Sequence, residues 1–387
     1  MFRNNEEEDE SCLEEMRKLS SFSIEAEIRY ISSQKLKERR NKLVKDIEFG
    51  YDTTEESICF HNFVSFLYWE SDERKRAMEF ATKALEMGKE ISSLRETENI
   101  VTICNFYHFN EGMGNVAEAK EFLRNFKDLS RQDDFQNLKF SAKAELAVCI
   151  SKLGPFCSAK AIEMFRESVN KMPTFVDCWQ FYFALTLRRK THILAIQNKT
   201  DAELIGEDRE AFDIFMKVIN NTSSKILRSR SFTEVGLIVF NNQDKYKDMN
   251  YMEFFEKAIE VNPKSYHALQ RYGQHLRYQK NLQKSKEILE KSLTIRETTI
   301  GYHHLGLTFQ NMVLQEHREK KKARHPNRKN ILKQGYFNTR SHVPRQQSSK
   351  AVSPDMKNNY DREKSLEATR YSGQVRAKMK SVRYVTG

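Results

Sequence analysis

Small and large apolar residues recur along the chain at helical spacing, and the sets repeat at intervals of 34 to 50 residues. Within residues 251–309, Phe255 and Ala258 recur as Leu289 and Ser292. That step of about 34 residues is the tetratricopeptide period, in which each unit is a hairpin of two helices. The agreement of small and large positions predicts consecutive helical hairpins.

Glycine and proline residues mark the predicted ends and contacts of these hairpins. Gly273 and Gly306 lie 33 residues apart, at the place where the two helices of a hairpin must approach closely. Gly114 precedes a typical turn into a second helix. Pro173 and Pro263 stand at equivalent places after second helices, which a proline cannot continue.

The small and large positions can be followed upstream in the same register. They are Ala77, Ala81 and Ala84; Ala119, Leu123 and Phe126; Ala161, Phe165 and Ser168; Ala211, Phe215 and Val218; Phe255 and Ala258; and Ser285, Leu289 and Ser292. Because the intervals are uneven, the array is a degenerate one. The predicted fold is all-α, a tetratricopeptide-repeat superhelix (α-solenoid) of five or six hairpins.

Three regions follow from the pattern. Residues 1–50 hold an acidic start and N-terminal helices, residues 51–316 the repeats, and residues 317–387 a basic tail. The first ten residues are predicted to be disordered, because their run of carboxylates repels itself and offers nothing to bury. A helix in the tail can extend to Arg324, and polar, apolar-poor sequence predicts disorder beyond it.

Composition indicates a soluble, helix-rich protein. Only 6 Pro and 13 Gly interrupt the 387 residues, and no stretch approaches the roughly 18 apolar residues of a membrane helix. The acidic start is unlike a secretory or mitochondrial leader. Six cysteines without a C-x-x-C pair indicate reduced, mostly buried thiols. These features predict a cytoplasmic protein without membrane contact.

The net charge of +11 belongs to the tail. From His317 onward there are 19 Lys and Arg against 5 Asp and Glu, which leaves 46 basic and 49 acidic residues in the rest of the chain. Any basic surface on the repeats must therefore come from clustering and not from an excess of cations.

Four stretches follow the pattern of one family: Asn105–His108 with 114–119, 144–154 with 159–175, Arg277-Tyr278, and 302–307. In this order and spacing they resemble the interferon-induced proteins with tetratricopeptide repeats, over about residues 55–316. The chain is similar to a divergent or C-terminally shortened member. The resemblance implies a concave groove of first helices that holds single-stranded RNA by its 5′ end and acts by sequestration in antiviral, innate-immune defence.

Candidate RNA contacts lie on first helices, where cations would neutralise phosphates and rings would stack on bases. They are Lys152, Arg188, Arg189, Gln270, Gln274, Arg277, Tyr278, His303 and His304. The resemblance matches Lys152 to the family's Leu-Lys position and Arg189 to its Tyr-Arg position, with Arg188 where the Tyr stands. It matches His303 to the family's His and His304 to its Gln.

Each candidate has a structural alternative. Lys152 and the run Arg188–Lys190 could be solvated helix ends. His303 and His304 are adjacent, so they face different directions; one should pack inside, and a metal site is not expected. Arg277 beside its neighbouring tyrosine suits either RNA or a snorkelling surface. Trp179, Tyr182 and Phe183 are predicted core residues.

No catalytic motif, cofactor motif or metal-ligand spacing is found, so a non-catalytic protein without a cofactor is expected. Two other functions stay open. The repeats could form a scaffold that binds other proteins, because tetratricopeptide grooves commonly hold peptides. Alternatively, the basic tail alone could contact RNA while the repeats bind proteins.

Overall fold

The computed structural model describes residues 2–50, 53–90, 99–172, 176–196 and 202–324, and over these residues it contains helices and no strand. Two short 3-10 helices span Ser21–Ile24 and Pro155–Cys157. The α-helices are α1 Phe2–Leu19, α2 Glu25–Ile28, α3 Ser33–Phe49, α4 Thr54–Trp69, α5 Arg74–Glu90, α6 Ile100–Met113, α7 Val116–Ser130, α8 Phe135–Lys152, α9 Ser158–Val169, α10 Asp177–Ile196, α11 Ala202–Asn221, α12 Lys225–Asn241, α13 Tyr251–Val261, α14 Tyr266–Tyr278, α15 Leu282–Ile295 and α16 Thr299–Arg324.

Helices α4 to α15 form six antiparallel hairpins, and α16 follows as a further first helix. The all-α repeat fold predicted from the spacing is confirmed. The chain divides into two compact units, unit 1 up to Pro263 and unit 2 from Lys264 onward, and each is described by itself.

The first and second helices of the hairpins in unit 1 bury different amounts of their surface. Helix α4 contacts α3, α5, α6 and α8, so it buries nearly every face, including Phe60, Phe63 and Phe66. Second helices such as α9 are amphipathic and bury only one face in the core. That face carries the predicted small and large positions, all of which are buried except Leu123, which is half-buried.

The glycine prediction is confirmed in unit 2. A Cβ on Gly273 would lie 2.6 Å from Leu289 Cγ and 3.4 Å from the Ser285 carbonyl oxygen, so α14 and α15 approach more closely than any larger residue permits. Gly306 lies on α16, and a second helix for that hairpin is not among the described residues. Pro263 follows α13 as expected, and Pro173 lies outside the described residues.

The prediction that the first ten residues are disordered is wrong, because α1 begins at Phe2. Met16 and Leu19 are fully buried and anchor the helix on the α6–α8 side of the core. Its acidic residues find cations on neighbouring helices. Asp9 pairs with Lys127 on α7, Glu8 with the residue that follows the end of α7, and Glu15 with a lysine of α8. Tertiary charge pairing therefore offsets the repulsion within the acidic run.

A buried polar network joins three first helices of unit 1. Asn62 on α4 donates to Glu145 Oε1 on α8 at 2.8 Å and accepts from the Thr102 hydroxyl on α6 at 2.9 Å. Burial raises the pKa of Glu145 to about 7. Since unsatisfied buried polar groups are costly, this network fixes the register of α4, α6 and α8.

Predicted interior residues lie where expected. All six cysteines are free thiols, five of them buried and Cys12 partly buried. Trp179, Tyr182 and Phe183 are each at most 3% exposed. None of the described helices combines the length and the apolar character that crossing a membrane requires.

Replacing Gly273 with alanine should lower the free energy of unfolding of unit 2 by about 1–3 kcal/mol, because the new Cβ overpacks the contact with Leu289. Gly206→Ala is the matched control, since nothing lies within 4 Å of its Cβ. That control should be neutral or stabilising by about 1 kcal/mol through helix propensity. Urea unfolding followed by circular dichroism measures both, and equal effects would contradict the close approach of α14 and α15.

Candidate functional site

A buried carboxylate near the start of α4 organises the inner helices of unit 1. Thr53 caps α4 by accepting from the Glu56 amide at 3.1 Å. The Glu56 side chain is fully buried and turns to other helices instead of to the cap. Its two oxygens accept from Arg230 on α12 at 3.0 and 3.2 Å, and one of them also accepts from the Tyr182 hydroxyl on α10.

Burial works to raise the pKa of Glu56, but Arg230 and the Tyr182 hydroxyl outweigh burial and hold that pKa below its ordinary value. Burial, followed by the charge of Glu56, raises the pKa of Tyr182 far above its usual range. The phenol therefore stays protonated and donates. The result is a Glu56–Arg230–Tyr182 cluster that joins α4, α10 and α12.

Arg230 is held against aromatic rings as well as against the carboxylate. Its guanidinium carbon lies 4.4 Å from the ring centre of Phe181 and 5.7 Å from that of Tyr182. The side chain is 21% exposed. The carboxylate and the two rings hold the cation in one orientation.

Lys152, at the end of α8, also lies over aromatic rings, one of which is the Tyr182 ring beside Arg230. Its Nζ is 4.7 Å from the ring centre of Phe60 and 4.9 Å from that of Tyr182. Burial, and then the positive charge of Arg189, lower the pKa of Lys152 to about 7. Within the part of the chain that the structure describes, Lys152 forms no ion pair. It is not a solvated helix end.

The basic run on α10 separates into different roles. Arg188 pairs with the buried carboxylate of Glu234, and Lys190 pairs with Glu207 at 2.8 Å. Arg189 is exposed and forms no ion pair with any described residue. Desolvation nonetheless lowers the pKa of Arg189. Exposure and desolvation occur together where water reaches a group on one side and protein surrounds it on the others.

The charges of this cluster do not balance. Glu56 pairs with Arg230 and Glu234 pairs with Arg188, so Lys152 and Arg189 form no ion pair of their own among the described residues. The carboxylates compensate them only at longer range, Glu56 acting on Lys152 and Glu234 on Arg189. Mutual repulsion contributes to the lowered pKa of Lys152. An arriving anion would relieve both the repulsion and the desolvation, so the arrangement suits an anionic group.

In unit 2, α14 carries a polar ladder on one side. Arg271 donates to Gln274 at 3.1 Å, and Gln274 donates to the Tyr278 hydroxyl at 2.9 Å. The Arg277 guanidinium lies 4.8 Å from the Tyr278 ring centre, and this ring is 48% exposed. Gln274, Arg277 and Tyr278 therefore share one surface of unit 2.

The remaining candidates divide between interior and surface. Gln270 is buried and donates to Thr298 at 2.6 Å, so it is committed to a structural bond. His304 is buried and His303 exposed, as their adjacency predicted. Desolvation, and then Arg277, lower the pKa of His304 to about 4, so its ring is neutral at pH 7. Among the described residues no group of His, Cys, Asp and Glu could hold a metal ion.

Sequence reasoning missed Glu56, Arg230 and the ring of Phe60 as site residues. The Thr-x-x-Glu pattern of a capping box marked the start of α4, but it would assign Glu56 to the cap. Arg230 lies 174 residues from Glu56, and no local signal pairs them. Tyr182 was predicted to be a core residue, and it is buried. In addition, its hydroxyl donates to Glu56.

The chain is similar to known proteins in structure and not in sequence. No protein-family profile matches the chain, and no curated protein sequence matches it. A solved structure of a monomeric IFIT1 variant with m7Gppp-AAAA superposes with a TM-score of 0.65 at 16% identity, covering 97% of this chain and 72% of that one.

Two human IFIT1 dimers are also similar. The complex with m7Gppp-AAAA gives a TM-score of 0.57 at 18% identity, covering 75% of this chain and 62% of that chain. The complex with PPP-AAAA gives 0.54 at 17% identity, covering 75% and 61%. At this level of identity the likeness establishes a shared tetratricopeptide-repeat fold.

Glu56→Gln should lower the free energy of unfolding by about 3–5 kcal/mol at pH 7, because it leaves Arg230 without its buried partner. In a double-mutant cycle with Arg230→Gln, the two losses should not add. Since the folded pKa of Glu56 is lowered, its contribution is present above its unfolded pKa and is lost as the pH falls through the folded value.

The variant should therefore show a flatter dependence of stability on pH in the acid range than the parent chain. Urea midpoints measured across that range test this point. Additive single losses together with an unchanged pH profile would contradict the central role of the pair.

Proposed function

We propose that this protein is a non-catalytic repeat protein that binds single-stranded RNA through the inner helices of unit 1. The observation that carries the proposal is a pair of neighbouring cations, Lys152 and Arg189, that form no ion pair with a described residue and lie beside the oriented guanidinium of Arg230. Phosphates would bind to these two cations, beside the oriented and partly exposed side chain of Arg230.

The chemistry of the cluster suits phosphate in two ways. A phosphate that contacts two cations gains charge-assisted hydrogen bonds in a partly desolvated site, where such bonds are stronger than in water. The rings beneath Lys152 and Arg230 are buried, so they support these cations and do not stack on bases; they are Phe60, Phe181 and Tyr182. In unit 2, the exposed ring of Tyr278 with Arg277 against it is suited to base stacking.

The IFIT1 structures that share this fold hold RNA with capped or triphosphate 5′ ends. This supports a 5′ polyphosphate as the group that the cluster of unit 1 binds. Membership in the interferon-induced family, cytoplasmic location and sequestration of RNA in antiviral defence are parts of the same proposal, and they rest on that likeness and on the sequence motifs.

The alternative function is a protein-interaction scaffold. Tetratricopeptide grooves that hold peptides would place carboxylates where phosphates are proposed here, and an acidic peptide would then compete for the same cations. Measuring the binding of an acidic peptide beside that of RNA separates the two functions. If the RNA-binding function is correct, RNA should bind more tightly than the peptide and with a steeper salt dependence.

Reversing both charges with Lys152→Glu and Arg189→Glu should weaken RNA binding at least about tenfold and reduce the salt slope by about 1.4, because each single-strand phosphate contact contributes about 0.7. Affinity is measured by salt titration with RNA carrying a 5′ triphosphate, monophosphate or hydroxyl. The triphosphate RNA should lose the most.

The matched control is Lys120→Glu with Lys217→Glu, which makes the same change in net charge at exposed positions on the second helices α7 and α11. That variant should keep affinity within about twofold. If both double variants lose affinity equally, binding follows net charge and not this cluster. Unchanged affinity in the first double variant excludes the proposed site.

RNA affinity should fall by up to about tenfold per pH unit above pH 7, because the free amine of Lys152 has a pKa of about 7 and a bound phosphate raises it. Below that pH the amine is already protonated, so affinity should level off. Lys152→Arg stays protonated and should bind with little pH dependence between about pH 7.5 and 9. A parent chain with a flat profile over this range would contradict the prediction.

A further inference from the structure

Lys152 has an environment unlike that of a surface lysine. Its amine lies over the rings of Phe60 and Tyr182, and no carboxylate pairs with it among the described residues. By contrast, Lys120 on α7 and Lys217 on α11 are exposed to solvent. Lys152 is partly exposed to solvent.

The charges that face Lys152 come from four helices. Arg189 on α10 and Arg230 on α12 disfavour its protonated form, and Glu56 on α4 and Asp46 on α3 favour it. Burial is the largest influence and acts with the two arginines, giving a pKa of about 7. About half of the amine is then neutral at pH 7, against well under 1% for an ordinary lysine.

We propose that Lys152 is a site of covalent acylation by acyl phosphates. The phosphate of the donor would bind to Arg189, which is exposed and forms no ion pair with a described residue. This would place the acyl carbon beside the neutral amine of Lys152. Proximity of a nucleophile to a bound electrophile is a large source of rate acceleration.

The step balances without a further reactant. The Lys152 nitrogen attacks the carbonyl carbon and forms an amide bond, and the bond from that carbon to the phosphate oxygen breaks. The bonding electrons leave with inorganic phosphate, which takes up the proton that the amine releases. Neither the acyl group nor the protein is oxidised or reduced.

Acylation would remove the positive charge of Lys152 and fill the space over Phe60. If unit 1 binds RNA as proposed, the acylated protein would lose that binding. This consequence rests on the proposed function, whereas the acylation itself does not, because it requires only the amine and the phosphate-binding arginine.

The test is acetylation of the full chain by acetyl phosphate at pH 7 without RNA, with the rate at each lysine followed by peptide mass spectrometry. Lys152 should be acetylated at least about tenfold faster than Lys120 and Lys217, given its larger neutral fraction. Arg189→Gln should slow Lys152 and leave the two exposed lysines unchanged. Inorganic phosphate should protect Lys152 in the same selective way.

Acetic anhydride, which carries no phosphate, serves as the comparison reagent. Removing Arg189 or adding phosphate also raises the pKa of Lys152 and so slows either reagent. Larger effects of both changes with acetyl phosphate than with acetic anhydride therefore support anchoring of the donor. Equal rates at Lys152 and the exposed lysines with acetyl phosphate overturn the proposal, as does selectivity that is identical with both reagents. RNA binding of the acetylated protein is measured separately, so a failure of the proposed function is distinguished from a failure of acylation.

Discussion

The buried carboxylate of Glu56 is the constraint on which the inner surface of unit 1 depends. A charge without solvent must be paired, and here the partners come from α10 and α12, far along the chain. Satisfying Glu56 therefore aligns three first helices and fixes Arg230 over Phe181. The same requirement gives Tyr182 two roles. Its ring packs in the core, and its hydroxyl donates a hydrogen bond to Glu56.

Lys152 and Arg189 occupy the surroundings that this pairing creates. Because Glu56 is already engaged by Arg230, it compensates Lys152 only in part, and burial over the rings lowers the pKa of the lysine to about 7. The stability of the inner helices and their affinity for an anion are thus linked. The pair that holds the helices together also leaves the neighbouring cations without an ion pair among the described residues.

Unit 2 uses similar residue types differently. Gln270 and His304 are buried and serve packing, and the low pKa of His304 keeps its ring neutral. The exposed surface of α14 keeps Arg277 and Tyr278 in contact with each other. Residue type alone did not separate these roles, because a polar side chain on a first helix can face either a neighbouring helix or solvent.

The sequence by itself determined the repeats, because the spacing of small and large residues and the position of Gly273 follow from packing within one hairpin. It also placed Lys152 and Arg189 on first helices. Only the tertiary structure decided that α1 is ordered by charge pairs with α7 and α8, and that Glu56 meets Arg230 across 174 residues. Such contacts depend on which faces of distant helices meet in the folded chain. The periodicity within one segment does not determine which distant helices those are.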